Sequence, residues 1–139
     1  LGINVDFAAL GKDISGLLVI EDGEATIGVN RNHSEVRQRF TMAHEIGHYH
    51  LHSKESLLFI DNKYIAARDS DSSSGENRAE IQANMFAAAL LMPKALLEKE
   101  IKGRGLDLGD DDVLDTLAKE FRVSTQAMAY RLSNLGLFD

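Results

Sequence analysis

Two histidines four residues apart, His44 and His48, stand in the segment RFTMAHEIGHYHLH, residues 39–52. On an α-helix, residues with this spacing share a face and lie about 6 Å apart along the axis, so both imidazoles can reach one metal ion. Glu45 completes the pattern H-E-x-x-H. That pattern describes two zinc ligands and a carboxylate that takes a proton from the attacking water. The spacing therefore predicts a hydrolytic metal site.

The remaining positions of this segment have other expected roles. His50 points about 160° away from His48, so we expect it to face solvent or to pack elsewhere. His52 shares the face of the two ligand candidates, but it lies about 12 Å from His44 along the axis and cannot share a tetrahedral ion with both. Gly47 costs a helix about 1 kcal/mol relative to alanine, which predicts that another part of the chain packs tightly there.

A catalytic zinc needs a third protein ligand. The longer motif H-E-x-x-H-x-x-G-x-x-H would supply a histidine, but Leu51 and Lys54 occupy its Gly and His positions. The best source is ENRAEIQANMFAAALLMP, residues 76–93, where Glu80 is the preferred ligand and Glu76 is the rival one turn earlier. For Glu76 we favour a simpler role as a carboxylate at a solvated helix start, where the helix dipole favours negative charge.

The same segment contains a candidate partner for a ligand histidine. Asn84 lies one turn after Glu80, and its side chain could hydrogen-bond the histidine nitrogen that faces away from the metal. The small side chains of Ala83, Ala87 and Ala88 would let this helix approach the first one closely.

The elements that must position these residues indicate an α+β fold. Two β-rich runs around Asp-Gly predict a hairpin, and Asn32 or Ser34 could cap a helix that runs to about residue 51. The polar residues 61–77 predict a long loop that could act as a gate, although a plain connection is the simpler interpretation. The predicted strands are residues 16–20 and 25–30, and the later predicted helices are 77–92, 93–102, 110–121 and 124–135.

Composition limits the class of protein. With 139 residues and 44% hydrophobic content, the chain can form an ordinary domain with a core. The net charge of −7 does not favour a nucleic-acid or membrane surface, and the absence of cysteine excludes disulfides and thiolate chemistry. No stretch approaches 18 apolar residues and no signal peptide is visible, so a cytoplasmic location is the default expectation. The chain begins at Leu1, and we expect residues upstream of it.

The two metal-site segments together resemble a known family. RQRFTMAHEIGHYHLH followed by EIQANMFAAALLMP is similar to the ImmA/IrrE family of metallo-endopeptidases, and the resemblance extends to the hairpin and to LAKEFRVSTQAMAYRLSNLGL near the C-terminus. By position, His44, His48 and Glu80 match the metal ligands and Glu45 the catalytic glutamate. The resemblance implies a zincin-like, thermolysin-type core of the gluzincin kind over residues 1–103. It places a C-terminal helical, helix-turn-helix-like subdomain over residues 104–139, packed on the core as one compact unit.

The resemblance also implies an activity and a partner. Family members cleave helix-turn-helix repressors, which derepresses mobile-element or stress-response genes, so the expected substrate is a repressor of the XRE type. The expected cofactor is Zn²⁺, although Mn²⁺ or Fe²⁺ would suit the same ligands. No residue is singled out as the oxyanion donor, and the open candidates are Tyr130, Arg131, His33 and Tyr49. We expect the substrate to lie along an exposed strand, and ATIGV, residues 25–29, is the candidate edge, with a strand inside the sheet as the equal alternative.

Two other functions compete with this one. A DNA-binding regulator would need several Lys or Arg on its recognition helix, but residues 124–135 contain only Arg131, and three aspartates lie just upstream at 110–112. A metal-binding interaction module without catalysis would have a closed site with four protein ligands, whereas the sequence suggests only three, and it would have no need of Glu45.

Overall fold

A computed structural model describes residues 2–62 and 74–137, with the backbone alone at residues 62 and 74–76. Its four strands form one mixed sheet in the order β1-β3-β2-β4. β1 pairs with β3 in parallel, while β2 pairs with both β3 and β4 in antiparallel fashion. The strands are β1 (Ile3–Ala8), β2 (Ile14–Glu21), β3 (Glu24–Asn30) and β4 (Leu58–Asn62). Together with the helices this confirms the predicted α+β class.

The predicted hairpin forms between β2 and β3. Asp22 and Gly23 both have positive φ, at 50° and 80°, which is the backbone of the tight turn that fits the twist of a hairpin. β3 then pairs with β1 on its other side. The prediction that ATIGV is an edge strand is therefore wrong, because β3 is central and β1 and β4 are the edges. Its buried side chains explain this, since Ile27 and Val29 have no exposed area.

The first helix, α1 (Glu35–His52), carries the H-E-x-x-H segment. Ser34 is its N-cap, and its side chain accepts a hydrogen bond from the backbone N–H of Arg37. The helix lies against the sheet at Gly16 in β2. A Cβ there would overlap the side chain of Thr41 and come within 2.9 Å of the Gly28 carbonyl oxygen. Gly16 thus lets α1 and the sheet approach each other closely.

Five residues separate β4 from the end of α1, and its last two residues, Asp61 and Asn62, lie within the segment 61–77 that was predicted as a loop. It pairs with β2, with an irregular register between Ile14 and Gly16. Alternate side chains of a strand point to opposite faces, and the burial follows this rule. Phe59 and Asp61 are covered, while Leu58 and Ile60 are about half exposed, at 52% and 51%.

The second helix, α2 (Ser74–Leu91), contacts α1 through side chains that include Asn84 and Phe86. Ala83 and Ala87 are fully buried. Phe86 lies over Gly47, where an added Cβ would be 3.1 Å from the Phe86 Cβ. The tight packing expected at Gly47 is therefore present. The proposed gate at residues 61–77 lies mostly outside the described residues, because only its ends belong to β4 and α2.

The chain divides into two compact units, Leu1–Ala87 and Ala88–Asp139. The C-terminal unit contains α3 (Lys94–Arg104), α4 (Asp111–Phe121) and α5 (Thr125–Asn134) around an apolar cluster. Met92 and Leu97 belong to that cluster, so they group with the later helices. The predicted functional boundary at residues 103 and 104, and the helix-turn-helix character of α4 and α5, stay predictions.

None of the helices in the described ranges combines the length and apolar character needed to cross a membrane.

Candidate metal centre

The histidines of α1 and the glutamate of α2 meet in one cluster. His44 Nε2 lies 3.2 Å from one carboxylate oxygen of Glu80, and His48 Nε2 lies 2.7 Å from the other. His48 has no exposed area and His44 is only 7% exposed. The structure thus brings together the three side chains that the sequence suggested as ligands.

A fourth side chain, Asp61, joins this cluster from β4. Its Oδ1 lies 3.3 Å from His44 Nε2 and 3.5 Å from His48 Nε2. One donor atom from each of His44, His48, Asp61 and Glu80 lies within 4.8 Å of the others. Sequence reasoning missed Asp61 because residues 61–77 were predicted as a loop. The short apolar run LLFI, residues 57–60, directly before Asp61 is the strand signal that could have found it.

Each ligand histidine has a second contact at its other ring nitrogen. His44 Nδ1 lies 2.8 Å from the side-chain oxygen of Asn84, the partner suggested from the sequence. His48 Nδ1 lies 3.0 Å from Nδ1 of His52. The ring of Phe59 stacks on His48, with the centroids 4.4 Å apart and the planes at 15°. Both imidazoles are therefore held in orientations that aim Nε2 at the carboxylates.

Glu45 lies beside this cluster and is completely buried. Its carboxyl group interacts with that of Asp61. Two adjacent buried carboxylates repel each other, so the pair needs a shared proton or a compensating cation.

The electrostatics of the cluster are strongly perturbed. Burial lowers the pKa of His44, but contacts with Asp61 and Glu80 outweigh it and raise that pKa to about 10. Burial, followed by the influence of Asp61, raises the pKa of Glu45. The pKa of Asp61 is lowered: burial opposes this change, but the neighbouring His44 and His48 outweigh it. In the protein without a cation, protons on the histidines therefore balance the carboxylates.

These residues fit a divalent metal ion. Zinc bound tetrahedrally at about 2.0–2.1 Å places its ligand atoms roughly 3.3 Å apart. Three of the four observed contacts are close to this value, at 3.2, 3.3 and 3.5 Å, and the contact between His48 and Glu80 is shorter, at 2.7 Å. His44 Nε2 and His48 Nε2 are buried and both face the carboxylates of Asp61 and Glu80. Three carboxylates in one buried volume also repel one another, and a cation would offset that repulsion.

The other suggested residues lie in several parts of the fold. His33 follows β3, with Nε2 3.4 Å from the side-chain nitrogen of Asn30, and half-buried Tyr49 packs against the apolar core of the sheet. In the C-terminal unit, Tyr130 is 63% exposed and Arg131 donates a hydrogen bond to the Met92 carbonyl oxygen. A role for any of them as an oxyanion donor stays a prediction. The side chain of Glu76, the rival ligand, lies outside the described residues.

Comparison with known proteins agrees with this geometry. A family model described as the IrrE N-terminal-like domain, of the Peptidase_M78 family, matches residues 1–133. The chain belongs to the IrrE N-terminal-like peptidase family. The resemblance to ImmA/IrrE metallo-endopeptidases that was predicted from the sequence is confirmed at the level of the family.

Three relatives illustrate the breadth of the IrrE N-terminal-like family. The chain is 26% identical over 120 residues to immunity region protein 2 of Bacillus phage phi105 and 26% over 124 residues to metallopeptidase ImmA of Bacillus subtilis. It is 36% identical over 98 residues to the radiation response metalloprotease IrrE of Deinococcus radiodurans. The matches cover 86%, 89% and 70% of this chain but 70%, 66% and 27% of the relatives' own lengths.

Proposed function

We propose that the protein is a zinc-dependent endopeptidase with a zincin-like core, in which His44, His48 and Glu80 hold the metal and Glu45 is the general base. The observation that carries the proposal is the position of Glu45. It is a fully buried carboxyl group that interacts with Asp61 directly beside a cluster of metal-binding side chains. A protein that only stored or bound a metal would have no need of this carboxylate.

The chemistry follows from these positions. The bound cation would act as a Lewis acid toward the scissile carbonyl and the attacking water. Glu45 accepts a proton from that water as the water oxygen bonds to the carbonyl carbon. Glu45 then donates the proton to the leaving amine as the C–N bond breaks. Burial raises the pKa of Glu45 in the protein without a cation, and a bound cation would favour the charged carboxylate that accepts the proton. Asn84 holds His44 in place during these steps through its contact with Nδ1.

The substrate we propose is a helix-turn-helix repressor of the XRE type. The support is the family resemblance and the names of two relatives, one an immunity region protein and one a radiation response metalloprotease. In this proposal the helix-turn-helix-like pair α4 and α5 acts as structural support or as a docking surface for that protein. DNA is a poor alternative ligand, because α5 has Arg131 as its single charged residue, and its guanidinium already contacts the Met92 carbonyl oxygen.

One observation favours a second candidate function. Asp61 supplies a fourth donor atom close to the other three, and a site closed by four protein ligands is typical of structural zinc. The candidate is then a non-catalytic metal-binding module. We favour the peptidase because the chain belongs to a peptidase family, and because a structural site leaves the burial of Glu45 unexplained.

The substitution Glu45→Gln tests the proposal. Gln has nearly the same shape but cannot accept the proton, so cleavage should fall by about 10²–10⁴-fold, while metal content stays near one ion per chain. The measurement is fragment formation from repressors encoded beside the gene, with zinc and with a chelator, together with metal analysis of each protein.

Glu55→Gln is the matched control, because Glu55 is an exposed glutamate that follows α1, and it should cleave at the wild-type rate. Unchanged cleavage by Glu45→Gln would show that another group is the base. A wild-type protein that binds one zinc but cleaves no repressor, with or without Glu45, would favour the closed structural site.

A further inference from the structure

His52 is a buried histidine that the proposed metal ligands and base do not include. It is 2% exposed and lies one turn after His48 on α1. Its Nδ1 is 3.0 Å from Nδ1 of His48, and its Nε2 is 2.9 Å from the side-chain oxygen of Gln82 on α2. The three side chains form a continuous chain of polar contacts from one helix to the next.

The direction of these hydrogen bonds follows from what each atom can do. The Gln82 oxygen can only accept, so the hydrogen lies on His52 Nε2. The Nδ1 of a neutral His52 then carries a lone pair, and His48 Nδ1 must donate to it. When His48 is neutral, as it must be to bind a cation, its lone pair is therefore on Nε2, the nitrogen that faces Glu80 and Asp61. If His52 donated to His48 instead, the hydrogen of neutral His48 would lie on Nε2, and that nitrogen could not bind a cation.

The arrangement around the other ligand histidine has the same outcome. The Asn84 oxygen accepts from His44 Nδ1 at 2.8 Å, which leaves the His44 lone pair on Nε2. His48 reaches its acceptor in two steps, through His52 to Gln82. Both ligand histidines are thereby held in one tautomer by residues of α2.

We propose that His52 and Gln82 are positioning residues that fix the ring and the tautomer of His48 for metal binding. The inference rests on the proposed metal site, but it concerns binding and does not depend on peptide cleavage. Groups that orient a ligand histidine in this way typically change metal affinity by 10–100-fold when they are removed.

The first experiment replaces His52 by leucine. Leucine has a similar bulk, but it lacks the ring nitrogen Nδ1 that accepts the hydrogen bond from His48. Zinc affinity, measured by competition with a chromophoric chelator, should fall about 10–100-fold. His50→Leu is the matched control, because His50 is exposed on the same helix, and its zinc affinity should equal that of the wild type. Equal affinity for His52→Leu and the wild type would overturn the proposal.

A second pair of variants keeps the test valid if His52→Leu folds poorly. Gln82 is exposed, so Gln82→Met should fold, but it lacks the acceptor oxygen and should bind zinc more weakly. The loss should be smaller than for His52→Leu, because His52 and Gln82 line an open surface cavity of 560 Å³ from which water can replace the lost acceptor. Gln82→Glu retains an acceptor and should restore the wild-type affinity. Equal affinities for the Met and Glu variants would contradict the proposal.

The tautomer itself can be observed in the zinc-loaded protein. Nitrogen-15 NMR should show a hydrogen on His48 Nδ1 that disappears, or exchanges faster with water, in His52→Leu. A hydrogen on His48 Nε2 of the wild type would overturn the inference. These results separate the two proposals. Loss of zinc affinity in His52→Leu supports the positioning role even if no repressor is cleaved, whereas Glu45→Gln tests cleavage at unchanged zinc affinity.

Discussion

The interiors of the two compact units differ in chemical character. All the buried polar or charged side chains that the structure describes belong to the N-terminal unit, namely Ser15, Asn30, Thr41, His44, Glu45, His48, His52 and Asp61. The buried cluster of the C-terminal unit is entirely apolar, namely Met92, Leu97, Leu114, Leu117, Ala118, Val123, Met128 and Leu132. The N-terminal unit has a smaller apolar cluster, namely Leu18, Ala25, Ile27 and Val29.

This difference shows how a site and a core compete for the same interior. Burying apolar surface stabilises a fold, whereas burying a carboxylate or an imidazole without full compensation destabilises it. The N-terminal unit uses much of its interior for groups that become favourable only when a ligand compensates them. We therefore expect the stability of the N-terminal unit to depend on metal and that of the C-terminal unit to depend on packing.

The largest expected effect on stability comes from the apolar core. Leu117 is fully buried within it, and Leu117→Ala should lower the free energy of unfolding by about 2–5 kcal/mol through lost burial and a cavity. Denaturant unfolding followed by circular dichroism measures this loss. Zinc content should remain at one ion per chain, because every candidate ligand lies in the N-terminal unit. Loss of zinc at a denaturant concentration where the variant is still folded would contradict the expectation that packing in the C-terminal unit does not affect metal binding in the N-terminal unit.

Metal removal should produce the opposite pattern. A ligand present at 100 times its dissociation constant stabilises the folded state by about 2.7 kcal/mol, so a chelator should remove a contribution of that order. Hydrogen exchange measured by mass spectrometry locates the effect. Protection should fall in α1 and α2, which carry the proposed ligands His44, His48 and Glu80, and stay unchanged in α4 and α5. An equal fall in all four elements would show that the two interiors are not independent in stability.

Much of the site could be predicted because its signals are local. His44, Glu45 and His48 lie within one helical turn and a half, so the helix geometry alone places them on neighbouring positions. Ser34 and the Asp-Gly turn are likewise short patterns with a direct physical meaning. Glu80 and Asn84 required a further assumption, that small alanines let a second helix approach the first.

The features that were missed depend on long-range pairing. Asp61 belongs to the site only because β4 pairs with β2, and the polar residues after it made the whole segment look like a loop. β3 becomes a central strand because β1 pairs with it in parallel, a contact that no local pattern indicates. The distance between His52 and His44 along the helix excluded His52 as a ligand. That argument did not consider the hydrogen bond between the Nδ1 atoms of His52 and His48.

The smallest expected effect compares one glycine from each unit. An alanine Cβ at Gly47 would lie 3.1 Å from the Cβ and Cδ1 of Phe86, and the Phe86 Cβ cannot move without shifting α2. Gly47→Ala should therefore destabilise the protein by about 1–2 kcal/mol, after the helix preference for alanine offsets part of the overpacking. Gly103 in α3 has nothing within 4 Å of its added Cβ, so Gly103→Ala should stabilise by up to about 1 kcal/mol. Thermal unfolding of the zinc-loaded variants measures both changes. Stabilisation by both alanines would mean that α1 and α2 have room to separate, and that close contact between them does not hold the metal ligands in place.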